Sequence, residues 1–208
     1  MKKAIVLGAS GLVGAQLLQQ LLDNPHYTEV LALVRRPLDV QHPKFKQVIF
    51  DFDHPAADLV LGDDLFCALG TTLKKAGSKA AQYRIDYQYP TELGAIARQN
   101  GVQQYLLVSS VGADAKASGF YLRTKGELEE KIQALDFPCF IVVRPSFLLG
   151  ERSEFRLGEK IGIILAKVFN PLLPRRYRGI QAAAVAQGLI TRANKGLSGM
   201  QIVENEDI

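Results

Sequence analysis

Tryptophan is absent from this 208-residue sequence, and long apolar runs are scarce. A membrane-spanning helix needs about 18 uninterrupted apolar residues. The most apolar stretch of the C-terminal part, residues 161–169, is short and is broken by Lys167. The start, MKKAIVLGAS, has the two lysines of a signal peptide, but its apolar run is too short for one. The sequence therefore predicts neither a membrane span nor a secretory leader.

Cysteine and histidine are also rare. The two cysteines, Cys67 and Cys139, lie in apolar segments and cannot form a disulfide framework. Buried thiols of this kind are typical of a reducing compartment, so we predict a cytoplasmic protein. The three histidines, His26, His42 and His54, lie in loop-like segments with no second ligand at metal-binding spacing. No metal site is predicted.

The composition favours one globular unit. Apolar residues make up 48% of the chain, and we find no repeat, linker or low-complexity tract. We predict a single domain over 1–208, with 151–208 as a small C-terminal lid over the substrate. The net charge of +4 suits an anionic small ligand. Tyr177 is the one aromatic among the basic residues 175–178, which is thin support for nucleic-acid binding, so no nucleic-acid partner is predicted. The oligomeric state is not fixed by the sequence.

A glycine-rich turn near the N-terminus is the strongest local signal. An apolar strand at 3–7 leads into GASGLVG, Gly8–Gly14, which opens a helix with leucines at helical spacing. In a dinucleotide-binding turn, Gly8 would allow the tight bend and Gly11 would let a diphosphate approach the backbone. Gly14 would let the helix lie close to the strand. A glycine-rich turn without a ligand is the alternative.

Strand and helix patterns alternate along the chain. Strands are predicted at 3–7, 29–34, 47–50, 65–69, 104–108 and 139–143, and helices at 12–22, 82–99 and 120–135. Pro90 predicts a kink or a late start in the second of these helices. Further helices are predicted at 157–169 and 181–193, with an edge strand at 199–203. Apolar strands separated by helices predict an α/β, Rossmann-like, doubly wound parallel sheet with helices on both faces. Ligands of such folds bind at the carboxyl ends of the strands.

Three strand ends carry candidate cofactor contacts. Arg35 and Arg36 follow the second strand, where an acid would bind the ribose of NAD and an arginine accommodates the 2′-phosphate of NADP. Solvated surface arginines are the alternative. Asp51 ends the third strand and could accept a hydrogen bond from adenine, with Phe52 beside the ring. Leu69–Gly70 ends the fourth strand, where glycine permits close approach of a dinucleotide or forms an ordinary turn.

The candidate chemistry lies after the fifth strand. Ser109 and Ser110 end that strand, and Tyr121 and Lys125 follow at i and i+4 of a helix, which places them on one face. A phenol is a poor proton donor at neutral pH, and an adjacent ammonium favours its ionised form. The serine hydroxyl can hold a substrate carbonyl oxygen. The alternative is a structural helix with a half-buried tyrosine and an exposed lysine.

Seven short segments then support a family resemblance. They are GASGLVG (8–14), RRP (35–37), LGTT (69–72), KAG (75–77), SSVGAD (109–114), YLRTKGELE (121–129) and RPSFLLGER (144–152). Together they resemble the extended and atypical short-chain dehydrogenase/reductases, especially the Tat-interacting-protein-like NADPH-binding oxidoreductases. The resemblance spans nearly the whole chain.

The resemblance implies a role for each matching residue. Tyr121 would exchange the proton and Lys125 would bind the nicotinamide ribose. Ser110 would be the catalytic serine, and the neighbouring Ser109 is the alternative for that role. The remaining cofactor contacts implied are Ser10, Gly11, Leu12 and Val13 along the diphosphate, Leu69 and Gly70 at the adenosine ribose, and Leu148 and Arg156 towards the nicotinamide.

These features lead to an NADPH-dependent carbonyl reductase as the first hypothesis, with NADP(H) as cofactor and a small-molecule carbonyl compound as substrate. An NADP(H)-binding sensor or adaptor without turnover is the alternative. A nucleotide-sugar epimerase ranks third, because residues 151–208 are few for enclosing a sugar nucleotide.

Overall fold

A seven-stranded parallel sheet forms the centre of the computed structural model, which describes residues 1–150 and 174–208. Its strands are β1 Lys2–Leu7, β2 Tyr27–Val34, β3 Phe45–Ile49, β4 Asp64–Cys67, β5 Gln104–Val108, β6 Cys139–Arg144 and β9 Gly199–Glu204. Across the sheet they run in the order β3-β2-β1-β4-β5-β6-β9, and each neighbouring pair is parallel. The predicted doubly wound Rossmann-like fold is confirmed.

Helices cover both faces of this sheet. They are α1 Leu12–Asp23, α2 Leu73–Ala76, α3 Lys79–Tyr83, α4 Tyr89–Gln99, α5 Phe120–Gln133 and α6 Ala182–Ala193. Ala4 and Val6 of β1 pack in one buried cluster with α1 and α6, whereas Ile5 and Leu7 pack in a second with α4 and α5. Successive side chains of a strand point to opposite faces, so a central strand that is buried on both faces must be apolar throughout.

Most predicted elements are found within a few residues of their predicted bounds. The strand at 104–108 has the predicted bounds, and the predicted edge strand at 199–203 is β9. The predicted helix at 181–193 corresponds to α6, while the one at 157–169 lies outside the described residues. Sequence analysis missed a small two-stranded sheet, in which β7 Leu148–Leu149 pairs in parallel with β8 Ile180–Gln181. Strands of two residues carry too little pattern to be recognised.

The irregularity predicted at Pro90 is a π-helical turn. Helical backbone runs from Lys79, and Arg84–Gln88 forms the π turn between α3 and α4. The Tyr89 amide bonds to the carbonyl of Arg84, five residues back. Pro90 then falls in the first turn of α4 and, having no N–H, bonds to no carbonyl of the π turn that precedes it. The helical stretch starts earlier than predicted because the Ser78 side chain caps it by accepting from the Ala81 amide.

The chain changes direction across the sheet between β3 and β4. It leaves the edge at β3, passes β2 and β1, and re-enters as β4 on the far side of β1. The carboxyl ends of β1 and β4 therefore bound the crevice in which doubly wound proteins bind their ligands. Among the described residues, no helix has the length and apolarity to cross a membrane.

Candidate functional site

The glycine turn between β1 and α1 is closely packed. Gly8 has φ +81°, and a Cβ on it would lie 2.6 Å from the Ala68 carbonyl oxygen. A Cβ on Gly14 would lie 1.9 Å from the Gly8 carbonyl oxygen, so α1 can approach β1 this closely because residue 14 has no side chain. Gly11 is the N-cap of α1, and no side chain caps this end. The first amides of α1 are thus available to an anionic ligand.

A cleft of about 780 Å³ opens beside this turn. It brings together nine of the predicted site residues: Ser10, Gly11, Leu12, Val13, Leu69, Gly70, Tyr121, Lys125 and Leu148. They come from the glycine turn, the end of β4, the first turns of α5 and the short strand β7. Gly8 and Gly14 shape the turn behind the cleft and are not among the described residues that line it. Arg156 lies outside the described residues.

Tyr121 and Lys125 occupy the same side of α5. The Tyr121 side chain is 41% exposed, whereas Lys125 is 3% exposed. The Lys125 Nζ donates to the carbonyl oxygen of Val108, the last residue of β5, at 3.4 Å. The structural alternative required an exposed lysine. The structure shows the reverse, with Lys125 buried and Tyr121 exposed.

Asp86 is an ionisable residue of this site that sequence analysis missed. It is fully buried on the π turn and accepts hydrogen bonds from the Thr71 amide at 2.7 Å and from Gln82 Nε2 at 3.2 Å. A Cβ on Gly70 would lie 3.9 Å from both Asp86 Oδ1 and Lys125 Nζ. The carboxylate and the ammonium therefore both lie against the backbone at the end of β4.

Burial raises the pKa of the Asp86 carboxyl, and the positive charge of Lys125 and the Thr71 N–H counteract part of that rise. A signal for this residue existed in the sequence. Asp86 precedes the buried residues Pro90 and Leu93 by four and seven positions, so it occupies the apolar stripe of the helix. A charged residue on such a stripe indicates a buried polar partner.

Asp86→Asn is expected to make stability less dependent on pH. The raised pKa means that the folded wild type binds a proton more readily than the unfolded chain, whose carboxyl has its ordinary pKa. The wild type therefore loses stability relative to the variant as the pH rises above that ordinary value, until Asp86 is ionised in the folded state. Urea unfolding of both proteins from about pH 4 upward measures the difference. A difference that stays constant or grows in favour of the wild type contradicts the prediction.

The two serines at the end of β5 differ in environment. Ser109 is buried, lines the cleft and donates a short hydrogen bond from its hydroxyl to Glu129 Oε1. Ser110 is half-buried and donates to the Val111 carbonyl oxygen at 3.3 Å. Ser110, the predicted catalytic serine, is not among the described residues that line the cleft. Ser109, the alternative candidate for the catalytic serine, does line the cleft.

Glu129 belongs to an ion network behind the cleft. Arg144, at the end of β6, binds it through two bonds, Nη2 to Oε2 at 2.6 Å and Nε to Oε1 at 3.2 Å. Arg144 Nη1 also donates to Glu204 Oε1 at 3.2 Å, and Arg176 Nη2 lies 3.3 Å from Glu204 Oε2. The hydrogen bond to Glu129 raises the pKa of Arg144. The network thus connects Ser109 to the last strand of the sheet.

Three predicted cofactor contacts, Arg35, Arg36 and Asp51, are not among the described residues that line the main cleft. Arg35 and Arg36 are exposed, and Arg35 lines a second, smaller cavity. Asp51 is exposed and accepts from the Asp53 amide and from His54 Nδ1, and the bond to His54 lowers the pKa of Asp51. It is not among the described residues that line either cavity.

The expectation that Phe52 flanks an adenine ring is wrong. Phe52 is buried, with its ring centroid 5.2 Å from that of Phe50 and 5.4 Å from that of Tyr89. It is a core residue shortly after the third strand, because its ring packs against Phe50 and against Tyr89, the first residue of α4.

The sheet order, the glycine turn and the cleft at the switch point together are those of a Rossmann-type dinucleotide-binding fold. The chain belongs to the NAD(P)H-binding family, whose model matches residues 8–171. The resemblance predicted from the seven segments is thereby confirmed.

Curated relatives and solved structures agree with this assignment. The chain is 34% identical to protein HTATIP2 of Rattus norvegicus, over 100% of this chain and 88% of the relative. It is 35% identical to the mitochondrial protein FMP52 of Saccharomyces cerevisiae, over 98% of this chain and 94% of the relative. Among solved structures, MoeE5 in complex with UDP-glucuronic acid and NAD is similar with a TM-score of 0.74 and 16% identity. That similarity covers 96% of this chain and 75% of MoeE5 and shows the fold alone.

These relatives correct the predicted location. Several of them, from different fungi, are named mitochondrial, so the prediction of a cytoplasmic protein is wrong. The prediction depended on Cys67 and Cys139, which are free and buried. Free buried thiols indicate that no disulfide is needed, and they do not distinguish one reducing compartment from another.

Proposed function

We propose that the protein is an NADPH-dependent oxidoreductase that reduces the carbonyl group of a small molecule. The observation that supports it most directly is the shared cleft of Tyr121 and the buried Lys125, which also contains the glycine turn and the end of β4. A protein that merely bound a dinucleotide would have no need for an exposed tyrosine and a buried lysine in the same cleft.

The described residues of the cleft fit a dinucleotide. The uncapped start of α1 and the backbone at Ser10–Val13 would hold the diphosphate, because amides at a helix start carry partial positive charge. Leu69 and Gly70 would lie at the ribose, and Leu148 at the nicotinamide end. When bound, the reduced dinucleotide supplies a hydride. Arg35 and Arg36 would favour the cofactor that carries a 2′-phosphate.

The side chains of the chain itself would move the proton. Tyr121 would donate the proton of its phenol to the carbonyl oxygen of the substrate, and its exposure lets that oxygen reach it. Lys125 would stabilise the phenolate that remains after donation, because its ammonium is held one helical turn further along α5.

The serines would contribute differently. Ser109 donates its hydroxyl proton to Glu129, so its oxygen offers lone pairs and no donor towards the cleft. A carbonyl oxygen needs a donor. Ser109 lines the cleft but would have to release Glu129 to donate to the substrate, whereas Ser110 bonds more weakly to the Val111 carbonyl but is not among the described residues that line the cleft.

The test of this function is NADPH oxidation by the wild-type protein over a panel of aldehydes, ketones and quinones, followed by absorbance. Fluorescence titrations with NADPH and NADH accompany it. Turnover with tighter binding of NADPH is the expected result. Tight NADPH binding without turnover of any carbonyl compound would instead support the sensor, and equal affinity for the two cofactors would exclude the preference for NADPH.

A further inference from the structure

A second cavity, of about 380 Å³, lies beyond the end of β2. Arg35 lines it from the strand end, and Arg84 lines it from the π turn, together with Ser78 and Tyr89. An anion in this cavity would be attracted by both guanidinium groups, although the Asp53 carboxylate already pairs with Arg84. The family resemblance and the strand-end rule identify Arg35 and Arg36 and assign nothing to Arg84.

Arg84 is oriented by neighbours on two other elements. Its Nη1 lies 3.3 Å from Asp53 Oδ1, and the same oxygen accepts from the Tyr89 hydroxyl at 2.8 Å. A guanidinium has five N–H groups, so one bond to Asp53 leaves the others available. The Arg84 side chain is 57% exposed and is reachable from solvent. Asp53 and Tyr89 thus hold the arginine at the cavity without consuming its donors.

Ser78 adds a neutral donor to the same cavity. Its Oγ accepts from the Ala81 amide at 3.1 Å, which leaves its own O–H to donate. Arg36 is exposed, and it is not among the described residues that line this cavity. The donors that converge here are therefore Arg35, Arg84 and Ser78.

We infer that Arg35 and Arg84 form a two-arginine site for a phosphate monoester on the adenosine ribose, which makes Arg84 a specificity-determining residue for NADPH over NADH. The inference rests on the proposed function, since it concerns the same cofactor. A phosphate dianion offers three terminal oxygens to planar guanidinium donors. A single arginine at the strand end cannot bond all three, so some of these oxygens would be bonded by water alone. The π turn brings the second arginine to the first.

The test is calorimetric titration with 2′,5′-ADP, 3′,5′-ADP and 5′-ADP. Arg84→Ala and Arg35→Ala are each expected to weaken the binding of 2′,5′-ADP at least about tenfold, and that of 5′-ADP less than about twofold. The control is Arg98→Ala, which removes the same charge from α4, where Arg98 bonds to the Asp136 carbonyl. It should change neither affinity. The retained 5′-ADP affinity of each variant also reports that its fold is intact.

The outcomes separate this inference from the proposed function. If Arg35→Ala loses the preference for 2′,5′-ADP and Arg84→Ala keeps it, the inference is wrong and the proposed NADPH preference stands. If the wild-type protein binds 5′-ADP as tightly as 2′,5′-ADP, the inference about Arg84 and the proposed preference for NADPH are both wrong. If 3′,5′-ADP binds as tightly as 2′,5′-ADP with the same dependence on Arg84, the site is a general phosphate site and Arg84 does not determine NADPH specificity.

Discussion

Tyr121→Phe is expected to lower kcat for carbonyl reduction by about 10²–10⁴-fold and to leave the dissociation constant of NADPH unchanged. The substitution removes the phenolic oxygen and keeps the ring. Proton transfer to the substrate oxygen therefore disappears, whereas the residues around the diphosphate and the adenosine are untouched. Steady-state kinetics with an accepted carbonyl substrate and fluorescence titration with NADPH measure the two quantities on the same preparations.

The matched control for this variant is Tyr177→Phe. Tyr177 is also exposed, at 52%, but lies on the short helical turn Arg175–Tyr177 and is not among the described residues lining the cleft. It should retain wild-type kcat. Full activity of Tyr121→Phe would remove Tyr121 from the mechanism, and a parallel loss of NADPH binding would show that the tyrosine serves cofactor binding instead.

Arg144→Met is expected to lower the free energy of unfolding by about 3–5 kcal/mol. Methionine fills much of the arginine volume but leaves the buried carboxylate of Glu129 without its two charge-assisted bonds, and Glu204 without one. Ser109 alone then faces Glu129. At roughly 2–4 °C per kcal/mol for a chain of this size, the Tm should fall by roughly 6–20 °C. Urea unfolding and thermal scans measure both values.

A double variant tests whether the loss of stability in Arg144→Met comes from the unpaired carboxylate of Glu129. Glu129→Gln with Arg144→Met removes both charges and should be more stable than Arg144→Met alone, because a neutral amide is cheaper to bury than an unpaired carboxylate. If the double variant loses the sum of both single effects, the cost comes from lost packing, and the ion pair itself contributes little.

The fold could be predicted because its signals are local and strong. The strand at 104–108 is a continuous apolar run bounded by polar residues, and it is β5 in the structure. The tight bend at Gly8 and the close approach of α1 to β1 at Gly14 were predicted from the spacing of the glycines. The close backbone contacts at both positions show why no side chain fits there. Strands that are buried on both faces of a parallel sheet must be apolar along their length, and this can be recognised directly in the sequence.

The parts that sequence analysis missed depend on contacts between distant segments. Glu129 and Arg144 form an ion pair because α5 packs beside β6, and the sequence of neither segment predicts that pairing. Which of two adjacent serines lines the cleft depends on where β5 ends, and a shift of one residue along an extended backbone turns a side chain to the opposite side. Arg84 was missed because its position follows from the π turn, whose extra residue no helical pattern predicts.

That π turn has one further consequence. Arg84 on it points to the cavity at the end of β2, and Asp86, two residues later, is buried at the end of β4 near the ammonium of Lys125. One five-residue turn of backbone thus carries both residues, each to a different set of neighbours. A substitution that turns this segment into a regular α-helix is therefore expected to disturb both placements at once, that of Arg84 at the smaller cavity and that of Asp86 at the end of β4.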